Sequence, residues 1–169
     1  VAEDKKWNQP GRVSFEFDLL YRWSSLIPDQ MKFGSIDYDY KQFMLNNTLL
    51  TEHGLAKIVN DASHQRAGKL SLSNTPDFLL GEQHEAIKMA RSFQTRSLNE
   101  YRILFGLEKF HDFNDVTSDA ALSNRLQGLY GHVDYLELFT GLSAEGIEDN
   151  AIFGELMTTM VVSDALTHA

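Results

Sequence analysis

The apolar positions of the chain return mostly at helical spacing. Val13, Phe17, Leu20, Tyr21 and Ser24 share one face at a period of about 3.6 residues, which predicts a first helix over Val13 to Leu26, broken by Pro28 in "IPDQ". "MKFGSIDYDY" reads as a turn or short extended pair around Gly34. A second helix is predicted over Tyr40 to Leu50, with Phe43, Met44 and Leu50 as its apolar members, and helical patches continue through "EHGLAKIVNDASHQRAGKL" to about Gly68. Ser, Asn and Thr ahead of Pro76 make "SLSNTPDFLLGEQ" a loop.

The second half repeats the pattern with clearer boundaries. A helix is predicted over His84 to Gln94, carrying Ile87, Met89 and Ala90. "SLNEYRILFGL" predicts a short helix with Ser97 as N-cap and Glu100 three residues on, the capping-box spacing. "FHDFNDVTSD" reads as a polar connector, with Ser118 or Asp119 capping a helix over Ala120 to Tyr130. "GHVDYLELFTGL" is helical up to Gly141, and "EDNAIFGELMTTMVVSDALTHA" is an apolar closing helix. The fold class is therefore mainly α. Several of these helices are apolar on more than one side and expect neighbours, which points to a piece from the interior of a larger helical domain. The start, "VAEDKKWNQPG", has no initiator Met and no apolar signal region and fits that expectation, with residues 1–10 as an extended lead-in.

Composition narrows the function classes. The 169 residues, 43% hydrophobic, suffice for a sizeable core. A formal charge of −9 argues against nucleic-acid binding and gives no attraction to an anionic membrane surface. The absence of cysteine excludes disulfides, thiolate metal sites and thiol nucleophiles, and assigns no compartment. No apolar run approaches the ~18 residues of a membrane span. "NNT" fits the N-glycosylation pattern at Asn46, a tripeptide common by chance.

Five ordered segments carry a resemblance. "EFDLLYRWSSLIPD" resembles the "EFNxLYHWHxLxPD" segment of cyclooxygenases and the "YRxHSLLPD" form of plant α-dioxygenases. "YDYKQFMLNNTLLTEHGL", "SLNEYRILFGL", "LYGHVDYLELFTGL" and "AIFGELM" are similar, in that order, to further segments of the same proteins. Over roughly residues 11 to 160 the chain thus resembles the animal haem peroxidase superfamily, in its fatty-acid-oxygenating branch. The resemblance implies a helical catalytic domain of which residues 1–169 are the C-terminal portion. The distal histidine of such proteins lies upstream in a "THxxF"-like segment that this sequence does not contain.

The resemblance also implies a chemistry: haem as cofactor, a long-chain fatty acid and dioxygen as substrates, and the remainder of the catalytic domain as partner. Tyr21 stands at the radical tyrosine, which takes a hydrogen atom from an acyl carbon before dioxygen adds. Ser24 stands where the proximal histidine would hold iron, and a neutral hydroxyl is a poor axial ligand. None of the six histidines sits at metal-ligand spacing to another. Trp23 packs near tyrosine and haem in the family. Asn99 matches the asparagine that orients the proximal imidazole, and Arg102 an arginine near a haem propionate. Phe17 and Leu20 on the first helix, with Ile152, Phe153 and Met157 on the last, line the implied acyl channel. Each apolar residue among these also reads as plain core, and Ser24 as a small helix residue bonding back to a carbonyl.

Three positions depart from cyclooxygenases. Ala165 aligns with the serine that aspirin acetylates, Val161 with a nearby channel glycine, and Phe139 with the tyrosine of "EFYP". The sequence accordingly favours a simple fatty-acid dioxygenase over a prostaglandin-forming enzyme, impaired at Ser24. The alternative is a haem-free descendant kept as a binding or structural module.

Overall fold

The computed structural model describes residues 14–168. The lead-in over 1–10, Val13 and the side chain of His168 lie outside the described residues. The first helix, α1 (Phe15–Leu20), is shorter than its periodicity predicts. In a continuing helix the Leu20 carbonyl would receive the Ser24 N–H; instead the Trp23 indole Nε1 donates to it at 2.5 Å. Tyr21 becomes the helix cap, and Ser24–Leu26 forms a separate 3-10 turn.

The chain divides into two compact units, one Ser24–Gly81, the other the described parts of Val1–Trp23 and Glu82–Ala169. In the smaller unit the expected reversal is an antiparallel hairpin of β1 (Gln30–Phe33) and β2 (Ile36–Asp39), turning at Gly34 with φ 64°. The predicted helix over Tyr40 to Leu50 is broken into α2 (Tyr40–Phe43) and α3 (Thr48–His53). Between them Leu45 takes φ 57°, and the Asn46 amide bonds the Gln42 carbonyl at 2.7 Å and the Thr48 N–H at 3.1 Å. A side chain that serves the local backbone this way competes with the helical ladder. α4 (Leu55–Ser63) ends before Gly68 and is tied to the hairpin: Gln65 exchanges two 2.7 Å hydrogen bonds with the Lys32 backbone, and Asp61 accepts from Gly34 N–H at 2.7 Å. Phe33, Leu49 and Leu70 are its buried core.

Gly68 holds the 3-10 turn from behind. Its N–H donates to the Leu26 carbonyl at 2.9 Å, and an added Cβ would overlap the Ser25 carbonyl oxygen. Gly68→Ala is expected to lower stability by about 1–3 kcal/mol, because backbone rather than a yielding side chain opposes the methyl. Gly81→Ala, with nothing within 4 Å of its Cβ and in a helix, is expected to be neutral or stabilising. Urea unfolding of both variants checks this; equal midpoints would remove the steric role of Gly68.

The larger unit contains the remaining helices, apart from the first two residues of the one that follows. α5 (Leu80–Ser92) begins four residues before its predicted start at His84, directly after a 3-10 turn over Asp77–Leu79. α6 (Leu98–Leu104) carries the predicted capping box of Ser97 and Glu100. The supposed connector contains a short helix, α7 (Phe113–Val116), whose cap is Asp112 and whose Phe113 and Val116 are fully buried. α8 (Ala120–Tyr130) starts at Asp119, as predicted, with that carboxylate accepting two N–H groups. α9 (Leu138–Ala144) runs through Gly141 rather than stopping there, and a Cβ at this position would meet the Leu98 Cδ1 at 2.6 Å. The residue is small to admit Leu98, not to end the helix. α10 (Glu155–His168) begins later than expected, so Ile152 and Phe153 precede the last helix. Leu19, Leu98, Leu126, Leu136, Leu138, Leu142 and Leu156 form the buried centre.

Candidate functional site

Four aromatic rings of the larger unit stand in a row. Phe17 and Tyr21, one turn apart on α1 and its cap, have centroids 4.6 Å apart; Tyr21 to Trp23 is 5.3 Å, and Trp23 to Phe153 is 4.8 Å. Tilted contacts at these distances suit the ring quadrupoles. The row exists because α1 stops: with the Leu20 carbonyl taken by its indole, Trp23 turns toward Phe153 instead of continuing a helical face. Tyr21 is 37% exposed, so its phenol is reachable, and its O–H donates to Asp164 Oδ2 on α10 at 3.0 Å. Desolvation, then the hydrogen bond and charge of Asp164, hold this phenol above its usual acidity range.

The other residues singled out in sequence are distributed differently. Leu20 and Met157 are buried core, and Ile152 is exposed. Asn99, 2% exposed, uses its amide inside the chain: Nδ2 donates to the Phe110 carbonyl at 2.9 Å and to Asp134 at 2.7 Å, while Oδ1 accepts the Phe110 N–H at 2.9 Å. It pins the segment after α6. Arg102, on α6, is also buried. Its guanidinium meets Glu145, Glu155 at 2.7 Å and the Glu108 carbonyl at 2.6 Å, with Phe110 4.0 Å away. A charge this deep needs such partners.

Glu145 does not stand out in sequence, yet it organises this corner. It is as buried as Arg102 and accepts the Leu156 N–H of the first turn of α10 at 3.0 Å. Burial pushes its carboxyl up, opposed by that N–H and by Arg102. Gly154 leaves room for it, since a Cβ there would lie 2.5 Å from Glu145 Oε2. Ser24 is half-buried in the 3-10 turn of the smaller unit, its carbonyl accepting the Ile27 N–H at 3.1 Å. Asp164 is equally inconspicuous. Its one signal is a single carboxylate within the otherwise uncharged run from Leu156 to Leu166.

The larger unit thus sets an exposed tyrosine in an aromatic row beside the apolar α10. The chain belongs to the animal haem peroxidase family, whose model matches residues 7–167. Among curated relatives it is 37% identical over 150 residues to prostaglandin G/H synthase 1 of Rattus norvegicus, covering 88% of this chain and 25% of that protein. It is 35% identical over 155 residues to prostaglandin G/H synthase 2 of Gallus gallus, covering 91% and 26%. The chain thus spans about a quarter of the length of these relatives. Among solved structures it is similar to the fatty acid alpha-dioxygenase of Oryza sativa, with TM-score 0.84, 22% identity, and 94% of this chain and 31% of that one covered. It is similar also to peroxidase A of Dictyostelium discoideum, with TM-score 0.78, 18% identity, and 92% and 34% covered. The mainly helical fold read from sequence is the fold of these structures.

The family implies haem, and Ser24 does not supply the imidazole that the resemblance expects at its position. Among the described residues no group of three or more His, Cys, Asp or Glu could hold a metal ion. Asn99 and Arg102 already have partners within the chain. No helix among the described residues is long and apolar enough to cross a membrane.

Proposed function

We propose that this chain is the C-terminal portion of the catalytic domain of a fatty-acid oxygenase, with Tyr21 as its hydrogen-atom-abstracting residue and its activity impaired at Ser24. The observation that carries this reading is the aromatic row from Phe17 through Tyr21 and Trp23 to Phe153, with the tyrosine phenol left accessible. An apolar wall of this kind suits a long acyl chain. A tyrosyl radical at Tyr21 would take one hydrogen atom from an acyl carbon, and dioxygen would add to the carbon radical. Haem and the distal histidine would come with the rest of the domain, and the missing imidazole at Ser24 weakens the attachment.

The curated relatives are prostaglandin G/H synthases, so the preference for a simple dioxygenase rests on Val161, Phe139 and Ala165 alone. A second reading, a haem-free binding or structural module, is favoured by the internal partners of Asn99 and Arg102.

The test is oxygen uptake with a long-chain fatty acid by the full-length protein carrying Ser24→His, beside the same protein with Tyr21→Phe added. Uptake is expected in the first and loss of it in the second, with the haem spectrum unchanged. Equal uptake in both removes Tyr21 from the mechanism, and no uptake from a haem-loaded Ser24→His protein overturns the oxygenase reading.

A further inference from the structure

Asp164 is the carboxylate at the Tyr21 phenol. The two residues lie 143 positions apart in the chain and are joined by the packing of α1 on α10, with the phenolic O–H aimed at Oδ2 at 3.0 Å. Arg22, next to Tyr21, is held one turn back by Asp18 at 2.8 Å. Phe17 and Trp23 flank the ring and carry no acid or base. Among the described residues, the contact gives a redox-capable phenol a directed proton acceptor.

A phenol that loses an electron becomes a far stronger acid, so the oxidation is easy only where the proton has somewhere to go. A hydrogen-bonded carboxylate takes it along the existing bond. The geometry points to Asp164 as the positioning residue that accepts the Tyr21 proton when the tyrosine is oxidised. One electron passes to a one-electron oxidant and the O–H proton passes to Asp164, leaving a neutral tyrosyl radical and a carboxylic acid. When the radical takes a hydrogen atom from an acyl C–H, the phenol is restored and a carbon radical remains. The Asp164 proton leaves to solvent through this half-exposed contact. This deepens the proposed function and rests on its assignment of Tyr21.

The test supplies the oxidant from outside. Photogenerated tris(bipyridine)ruthenium(III) oxidises the chain, and the tyrosyl radical is read by electron paramagnetic resonance in the unchanged chain and in Tyr21→Phe, Asp164→Asn and Asp164→Glu. The signal absent from Tyr21→Phe defines Tyr21. Its yield is expected to fall on the order of tenfold or more in Asp164→Asn, which keeps the shape and loses the base, and to return in Asp164→Glu. An undiminished yield in Asp164→Asn overturns the proposal. If that variant does not fold, the rate in heavy water decides: slower oxidation of Tyr21 in the unchanged chain supports coupled proton transfer, and an unchanged rate overturns it. The outcome is separable from the oxygenase reading. A proton-coupled Tyr21 in a protein without fatty-acid oxygen uptake leaves Asp164 in place and removes the substrate. Uptake with an indifferent Asp164 does the reverse.

Discussion

Arg102→Met is expected to lower the unfolding free energy of the larger unit by about 3–5 kcal/mol, the usual cost of removing one partner from a buried ion pair. Arg102 and Glu145 have side chains only 5% and 3% exposed, so neither can find water when the other is lost. The loss falls mainly on Glu145, whose carboxyl is already pushed up by burial. Without the guanidinium its pKa rises further and the group takes a proton. A folded-state pKa raised above its unfolded value gives stability that is present at low pH and lost as pH rises through it. The defect of Arg102→Met should therefore shrink as pH falls toward and below the ordinary carboxyl value of 4.5. Adding Glu145→Gln should recover part of the loss at neutral pH, because the amide oxygen can still accept the Leu156 N–H. Chemical denaturation of the single and double variants at two pH values measures both effects. A pH-independent defect would mean that Arg102 acts through packing on Phe110 rather than through charge.

Ser24→His is expected to tighten haemin binding to the full-length protein by about two orders of magnitude, equivalent to ~2.7 kcal/mol. The substitution puts an imidazole at the family's proximal position, where serine offers a weak donor. The residue is half-buried in a 3-10 turn held by Gly68, so the larger ring must be accommodated within a turn that already has a fixed backbone. A Soret titration measures the change. Free imidazole added to the unsubstituted protein should give a similar spectrum if the space for the ring is kept. Identical titrations for the unsubstituted and Ser24→His proteins would remove this position from haem attachment, and failure of both to bind favours the haem-free module.

The parts of the fold that are legible in sequence are those decided within one turn of chain. Ser97 with Glu100, and Asp119 before Ala120, satisfy nearby N–H groups, and their helices start where the residues say. What escapes depends on partners remote in sequence or on a choice between rival hydrogen bonds. Nothing in the period of α1 says that the Trp23 indole will displace the Ser24 N–H from the Leu20 carbonyl. The break after α2 is of the same kind, made by the Asn46 amide. Gly141 looks like a stop until Leu98, from another helix, is seen to need its space.

The candidate site divides along the same line. Phe17, Tyr21, Trp23 and Phe153 are identifiable from sequence and come together. Asn99 and Arg102 also have partners inside the chain, Phe110, Asp134, Glu145 and Glu155, which helix position alone does not reveal. Asp164 escapes notice in sequence because its contact with Tyr21 joins positions 143 residues apart.

The indole bond that closes α1 also makes the protein its own optical probe. The chain has two tryptophans, of which Trp7 lies outside the described residues, so Trp7→Phe leaves Trp23 as the sole emitter. Its N–H is engaged by a carbonyl and its half-buried ring lies between Tyr21 and Phe153, so a change in either contact changes the surroundings of the indole. The colour and lifetime of that one fluorophore thus report on the ring row directly, under conditions where neither cofactor nor substrate need be present.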